Sequence, residues 1–183
     1  MPNRHRLLSL VVTLFFLLPL SLSLAACGGS AEALIAYQSE PLRMVLSYEE
    51  GGTTVRATLT LGEMPKGDGV RDATLTYLSP ENLSGITYTR AGGQTTVRYG
   101  EDEFKAPDAP FAVTALFNIP KTARATDVSR EDGGARCATL TAGDAVYTLL
   151  FPAGEDRPAA ISRRLGDTDY LAVTVEEYLP PEG

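Results

Sequence analysis

The sequence predicts a mainly β domain of the α+β class. We expect a strongly curved antiparallel meander that forms an unclosed half-barrel, with one or two short helices capping its concave face. Short runs of alternating apolar and polar residues recur along the 183-residue chain and are joined by glycine-rich turns. Several later runs are apolar on both faces, so the sheet must be covered twice or must curl around something. One segment alone has helical spacing. The length suits one ordinary domain.

Residues 1–26 have the layout of a secretory signal peptide: a basic head, a long apolar run and small residues at the end. Leu24, Ala25, Ala26 and Cys27 match the bacterial lipobox, which is a leucine, two small residues and a cysteine. In proteins with that motif, the cysteine thiol receives a diacylglyceryl group and the chain is cut just before it. We therefore expect Cys27 to be a lipid-attachment site that holds the protein at the extracytoplasmic face of a cell membrane.

Two alternatives to lipid anchoring remain open, namely an uncleaved membrane anchor and plain secretion. The apolar run is about 18 residues long, near the lower limit for a membrane-spanning helix. Pro19 and several serines and threonines interrupt the run, and no basic cluster follows it. These features favour the lipoprotein. The second cysteine, Cys137, would then have no disulfide partner, and we expect a small buried side chain there rather than a reactive thiol.

The chain after the leader divides into two parts. Residues 27–40 are expected to provide the lipid-attachment cysteine and a tether, because Gly28, Gly29 and Ser30 give slack and Pro41 stops a short helical turn. Residues 41–183 are expected to form the single β domain.

The first hairpin follows from alternation with a period of two. Residues 42–49 and 53–61 each place apolar side chains on one face, and Glu50, Gly51 and Gly52 form the turn between them. The shared apolar face is Leu42, Met44, Leu46, Tyr48, Val55, Ala57, Leu59 and Leu61.

Later hairpins repeat this arrangement. Runs of strand-like residues flank Ala91-Gly92-Gly93, Asp132-Gly133-Gly134, Ala142-Gly143-Asp144 and Gly166-Asp167. Together with a strand over RDATLTYL, these runs bring the expected total to roughly nine or ten strands. Glycine suits such turns because it accepts a positive φ.

The one helical segment is DAPFAVTALFNIP. Asp108 is placed to act as its N-cap and Pro110 lies in its first turn. Val113, Leu116 and Phe117 form an apolar stripe at helical spacing. This stripe indicates a helix packed on the sheet rather than a ligand-binding element of its own.

Composition excludes several function classes. The only histidine is His5, inside the leader, so the rest of the chain cannot supply the imidazole of Ser-His-Asp or Cys-His hydrolases or of typical zinc sites. The 23 acidic against 16 basic residues disfavour a nucleic-acid partner. We expect no catalytic residue, no metal ligand and no cofactor. Carboxylate chemistry and Ser-Lys chemistry stay open, although the lysines lie in or beside turn-rich segments.

The order of these elements, with SPENLSG at residues 79–85 joining two middle strands, resembles the LolA/LolB-like proteins. These are the outer-membrane lipoprotein carriers and their receptors. The resemblance is closer still to uncharacterised Gram-positive lipoproteins of the same half-barrel architecture. It implies an apolar concave face that holds acyl chains or a lipidated peptide. Two features depart from the carriers: this chain is expected to be tethered, and it contains no tryptophan.

The expected function is therefore a membrane-tethered, extracytoplasmic, non-enzymatic lipoprotein that binds a lipid, its acyl chains or a lipoprotein in the half-barrel. The alternative is an envelope protein-interaction or stress-sensing module without a lipid ligand. The oligomeric state is left open. The candidates for the cavity lining are Leu42, Met44, Leu46, Val55, Leu59, Tyr88 and Phe117.

Overall fold

The computed structural model describes residues 30–65, 69–167 and 169–180. The leader, the lipobox and Cys27 lie outside the described residues, so lipid attachment stays a prediction.

Eleven strands form one antiparallel sheet. In chain order they are β1 Leu42–Glu50, β2 Thr53–Leu61, β3 Ala73–Ser79, β4 Thr87–Ala91, β5 Gln94–Tyr99, β6 Asp102–Lys105, β7 Arg124–Arg130, β8 Arg136–Ala142, β9 Ala145–Phe151, β10 Ala160–Leu165 and β11 Asp169–Leu179. Their spatial order is β6-β5-β4-β3-β2-β1-β11-β10-β9-β8-β7. Consecutive strands are adjacent except for β6 and β7, which lie at opposite edges, and β1 pairs with β11 at the centre. Because the edge strands β6 and β7 do not pair with each other, the sheet is an unclosed half-barrel, as the sequence predicted.

The first hairpin has the predicted register. Met44 lies opposite Leu59 and Leu46 lies opposite Ala57. Gly51 and Gly52 make the turn with φ values of 58° and 77°, a conformation that a side chain would strain. The alternation in the sequence and the turn chemistry thus agree on one pairing.

The eleventh strand, β6, was not predicted. Its four residues, DEFK, are all exposed and contain a single apolar side chain, so they carry no alternation. The strand forms because the turn at Gly100 folds it back onto β5, where Phe104 pairs with Val97. Tyr99 is 63% exposed because it lies at this edge of the sheet.

A short helical segment precedes the sheet and packs against it. It consists of the α-helix α1, Ala31–Ile35, and a 3₁₀ helix, Ala36–Ser39. We call residues 31–39 the docked segment. Leu34, Ile35 and Tyr37 belong to the core, so this part of the expected tether is not slack. Burial of these apolar side chains fixes the segment, and the packed domain begins about ten residues earlier than the sequence suggested.

The second helical element lies where it was predicted but is a 3₁₀ helix, Ala109–Phe117. We call it the cap helix, and the face of the sheet that it covers the inner face. Asp108 occupies the N-cap position, yet its side chain makes no capping hydrogen bond. Its carboxylate instead pairs with Arg90 at 3.0 Å. The cap helix lies against β3, β10 and β11.

One hydrophobic core unites the sheet, the docked segment and the cap helix. Leu46, Leu59 and Leu75 on the central strands have no exposed surface, and neither do Leu116 and Phe117 on the cap helix. Among the described residues, no helix combines the length and the apolar character needed to cross a membrane.

The two faces of β2 should respond differently to truncation. Leu59→Ala removes a fully buried side chain and should lower the free energy of unfolding by about 2–5 kcal/mol. Arg56→Ala, on the other face, removes only a surface ion pair with Glu176 and should cost at most about 1 kcal/mol. Urea denaturation followed by circular dichroism measures both changes. Equal losses would show that the two faces are wrongly assigned.

Candidate functional site

The seven candidates for a cavity lining lie in or against the filled core. Six of them are at most 2% exposed: Leu42, Met44, Leu46, Val55, Leu59 and Phe117. Tyr88 is partly buried and meets Tyr77 edge to face, with 6.1 Å between the ring centroids. None of the seven lines the cleft described next. The cap helix and the docked segment occupy the inner face, so the apolar layer is covered rather than open.

A cleft of about 710 Å³ opens beside the cap helix. It lies between this helix, the end of the docked segment, the loop before β3 and one residue of β10. We call it the arginine cleft, because its cationic lining residues are Arg71, Arg90, Lys121 and Arg163, and none of the described residues that line it is an aspartate or a glutamate. Its apolar lining residues are Met64, Pro65, Val70, Phe111, Ala112, Ala115 and Ile119, accompanied by Pro120.

Arg71 is the most deeply placed of the four cations, at 2% exposure. Its Nε donates to the carbonyl oxygen of Gly62 at 2.7 Å, and Nη2 donates to that of Glu40 at 2.5 Å. A longer bond of 3.4 Å runs from Nη1 to the carbonyl oxygen of Phe117. No carboxylate pairs with Arg71 in the described part of the chain, and burial lowers the pKa of its guanidinium. One side chain thus joins the β2–β3 loop, Glu40 directly after the docked segment, and the cap helix.

Arg90 holds the first half of the cap helix. Its Nε donates to the backbone oxygen of Arg71 at 3.1 Å, and Nη2 reaches Thr114 Oγ1 at 3.4 Å. The guanidinium also lies over the Phe111 ring, 4.7 Å from its centroid. Arg90 is 5% exposed, so its charge is buried with partners on three sides.

Asp108 forms an ion pair with Arg90 but does not line the cleft. A hydrogen bond from Thr95, at 2.6 Å, is the main cause that lowers the pKa of the Asp108 carboxyl, and the Arg90 guanidinium lowers it further. The ionised carboxylate is therefore favoured in the folded protein. This arrangement explains why Asp108 does not cap the helix: its oxygens already have partners.

Three further lining residues have polar groups without a partner among the described residues. Arg163 pairs through Nη2 with Asp169 at 2.8 Å, whereas its Nε is buried and has no partner. The Oδ1 of Asn118 is likewise buried and has no partner. Lys121 is exposed and makes no ion pair with any described residue. The Lys121 ammonium is thus accessible from solvent, whereas the two unpaired atoms lie beneath the lining surface.

The sequence contained a partial signal for this site. Arg90 shares a strand face with Ile86 and Tyr88, and Arg163 shares one with Ile161, so each is a charge at an inward position. Such positions indicate a buried polar role. Arg71 has the parity of Ala73, Leu75 and Tyr77 in the run RDATLTYL and so is also a charge at an inward position, but the sequence does not show which backbone oxygens it meets.

The cleft offers positive charge and N–H donors beside apolar walls, which suits binding rather than metal chemistry. No group of three or more His, Cys, Asp or Glu residues close enough to hold a metal ion occurs in the described ranges. Cys137 is a half-buried free thiol on β8, away from the cleft lining.

No protein-family model and no curated protein matches the chain. Solved structures of similar architecture exist. An uncharacterized conserved protein from Thermus thermophilus aligns at 13% identity and a TM-score of 0.49, over 82% of this chain and 84% of its own. MucB aligns at 15% identity and a TM-score of 0.46 over 81% of this chain, which spans only 56% of MucB. A LolA superfamily protein from Nitrosomonas europaea aligns at 8% identity and a TM-score of 0.40, over 85% and 95% of the two chains.

These likenesses concern overall architecture. A LolA superfamily protein stands among the similar folds, whereas a particular closeness to Gram-positive lipoproteins stays a prediction. The chemistry of the cleft depends on this chain's own residues.

Arg71 should be far more important to stability than an exposed arginine. Arg71→Met would leave the carbonyl oxygens of Gly62, Glu40 and Phe117 without their donor, and we expect a loss of roughly 3 kcal/mol or more. Arg98→Met, on exposed β5, should change the free energy of unfolding by about 0.5 kcal/mol or less. Chemical denaturation of both variants gives the comparison. A cost for Arg71→Met no greater than for Arg98→Met would contradict the role of Arg71 in holding the three segments.

Proposed function

We propose that the protein is a lipid-anchored, non-enzymatic binding protein of the extracytoplasmic membrane face. It takes up the apolar chain of a ligand between the cap helix and the inner face of the sheet. The lipobox at residues 24–27, directly after a signal-like leader, supports the anchor. The apolar inner face of the unclosed sheet, which the cap helix covers, supports the proposal that the ligand has an apolar chain.

The observation that carries the binding proposal is the type of helix over the inner face. The cap helix is a 3₁₀ helix of nine residues. 3₁₀ helices have poorer hydrogen-bond geometry than α-helices, runs beyond three or four residues are uncommon, and longer ones often mark a hinge or a strained segment. The sheet beneath is held by regular antiparallel pairing on both sides of β1. Opening at the cap helix would therefore leave the sheet intact.

The free energies of transfer favour replacing the contacts of the cap helix with those of a long acyl chain. Lifting the cap helix exposes its buried apolar side chains Phe111, Val113, Leu116 and Phe117, and at about 1.5–3 kcal/mol each they contribute roughly 6–12 kcal/mol together. An incoming acyl chain regains about 0.8 kcal/mol for each buried methylene. A chain of roughly sixteen methylenes, worth about 13 kcal/mol, therefore outweighs this loss, whereas a two-carbon chain does not. The proposed ligand carries a long acyl chain.

A second candidate function is protein interaction at a sheet edge. All four residues of β6 are exposed, and the aromatic side chains of Tyr99 and Phe104 there are 63% and 61% exposed. An exposed strand edge can pair with an extended segment of a partner. This candidate needs no movement of the cap helix, which separates it from the first.

Lipid attachment predicts a specific labelling result. Cells fed a palmitate analogue should incorporate label into the wild-type chain and into Cys137→Ser, but not into Cys27→Ser, because only the Cys27 sulfur can form the thioether. Detergent-phase partitioning should be lost together with the label if the leader is still cleaved. Undiminished labelling of Cys27→Ser, or label that follows Cys137, would overturn the anchor.

Apolar binding predicts a quenching result. The chain contains no tryptophan, so Phe117→Trp introduces a single reporter under the cap helix. A dibrominated fatty acid should quench its fluorescence at low ligand concentration, because bromine quenches only at short range. Tyr170→Trp, at a position 69% exposed on β11, serves as the control and should be quenched much less. Thermal unfolding checks that both variants are folded. Equal quenching of the two, or none, would contradict binding beneath the cap helix and favour the edge candidate.

A further inference from the structure

The arginine cleft is lined by positive charge, whereas the chain as a whole has a net negative charge. The protein as a whole has a formal net charge of −7, yet the described residues that line the cleft include four cations and no carboxylate. Asp108 and Asp169 reach two of these cations from outside the lining. Arg71 and Lys121 have no carboxylate partner among the residues that the structure describes. A partly desolvated concave site of one sign concentrates ligands of the opposite sign, which here means anions.

Residues that line the cleft have the donor and acceptor atoms that an oxyanion needs, but two of these atoms are buried, so a ligand reaches them only by displacing the side chains around them. The Arg163 Nε–H is a donor without an acceptor, in a buried position where unpaired polar atoms are uncommon. A guanidinium presents its donors in a planar fork that fits carboxylate and phosphate oxygens. The nearby Asn118 Oδ1 is an acceptor without a donor. It suits a hydroxyl group, such as that of a phosphate monoanion or of a sugar beside it.

The cleft is continuous with the apolar layer. Phe111 and Ile119 each line the cleft, and each belongs to the buried core. The Phe111 ring carries the Arg90 guanidinium on one face. A ligand whose polar end lies among the arginines can therefore direct an apolar chain past these two side chains, beneath the cap helix.

We infer that the arginine cleft binds the anionic headgroup, a phosphate or a carboxylate, of the ligand whose apolar chain enters beneath the cap helix. The ligand class is then an anionic amphiphile. This inference rests on the proposed function, which it narrows. The same oxyanion chemistry can come from a lipid headgroup or from a free anion, and the two sources differ in whether an attached chain adds affinity.

Calorimetric titration of the full chain, purified from membranes in a neutral maltoside detergent, tests the inference. The three probes are hexyl phosphate, hexyl glucoside and inorganic phosphate, which present an anion with a chain, a chain without an anion, and an anion without a chain. We expect hexyl phosphate to bind at least roughly tenfold more tightly than hexyl glucoside, since charge-assisted hydrogen bonds are worth about that factor or more.

Variants inside and outside the cleft show whether the affinity for hexyl phosphate depends on the cleft residues. Arg163→Gln and Lys121→Gln should each weaken hexyl phosphate binding severalfold and leave hexyl glucoside unchanged. Arg164→Gln is the control, because Arg164 is the next residue of β10 and is exposed on the other face. It should change neither affinity. Lys121 is itself exposed, so Lys121→Gln gives an answer even where Arg163→Gln disturbs folding.

The outcomes separate the two proposals. Equal affinity for hexyl phosphate and hexyl glucoside, together with quenching of the Phe117→Trp reporter, would overturn the anionic headgroup and leave apolar binding standing. Binding of inorganic phosphate that depends on Arg163, with no added affinity from the hexyl chain and no quenching of the Phe117→Trp reporter by the dibrominated fatty acid, would support the anion site and overturn the apolar ligand. An Arg164→Gln effect equal to that of Arg163→Gln would overturn the placement in the cleft.

Discussion

One buried guanidinium, that of Arg71, fixes the position of the cap helix over the half-barrel. Arg71 donates to backbone oxygens of three segments that are far apart in sequence, at Gly62, Glu40 and Phe117. Its own backbone oxygen accepts from Arg90, which in turn binds the cap helix through Thr114. Burying a charge without a carboxylate is costly, and hydrogen bonds from the charged group offset that cost. The position of the cap helix therefore depends on two linked arginines as well as on apolar packing.

The sheet is held by more regular hydrogen bonding and more buried side chains than the cap helix that lies over it. Every strand pairs antiparallel with its neighbours, and the central strands are covered by fully buried leucines. The cap helix has only 3₁₀ bonding within itself and a small number of side-chain links to the sheet. Proteins open locally where hydrogen bonding is weak, and binding elements belong to that less stable part of a fold. The same contrast makes the cap helix the place where a ligand can enter without loss of the sheet.

The parts of the fold that were predictable are those set by local sequence. The hairpins at Gly51 and Gly92 follow from a period of two and from glycine turns, because one face of each strand is buried. The strand β6 was missed because DEFK has no alternation, and it exists only through pairing with β5. The docked segment looked like a tether because it is short and lies between Gly28-Gly29-Ser30 and Pro41, and the sequence does not show that Leu34, Ile35 and Tyr37 pack into the core.

The candidate site was less predictable than the fold for a physical reason. The apolar face that suggested a cavity is the same face that the cap helix needs for its own burial, so Leu59 and Phe117 became core. The cleft instead uses charges whose partners are backbone oxygens, and a sequence does not show where backbone oxygens will converge. Arg71, Arg90 and Arg163 could each be suspected from their inward register, whereas their hydrogen-bond partners could not be predicted.

The central claim is that the cap helix opens independently of the sheet, and native-state hydrogen exchange of the wild-type chain tests it most directly. The amides of Val113 and Leu116 should exchange through local opening, at least roughly a hundredfold faster than the amides of Ala57 and Leu59 in β2. A denaturant series should leave the exchange of the first pair nearly unchanged at low concentration, while the β2 amides follow global unfolding. Equal protection of the two pairs, with the same denaturant dependence, would mean that the cap helix leaves the sheet only when the whole domain unfolds, and it would contradict the account.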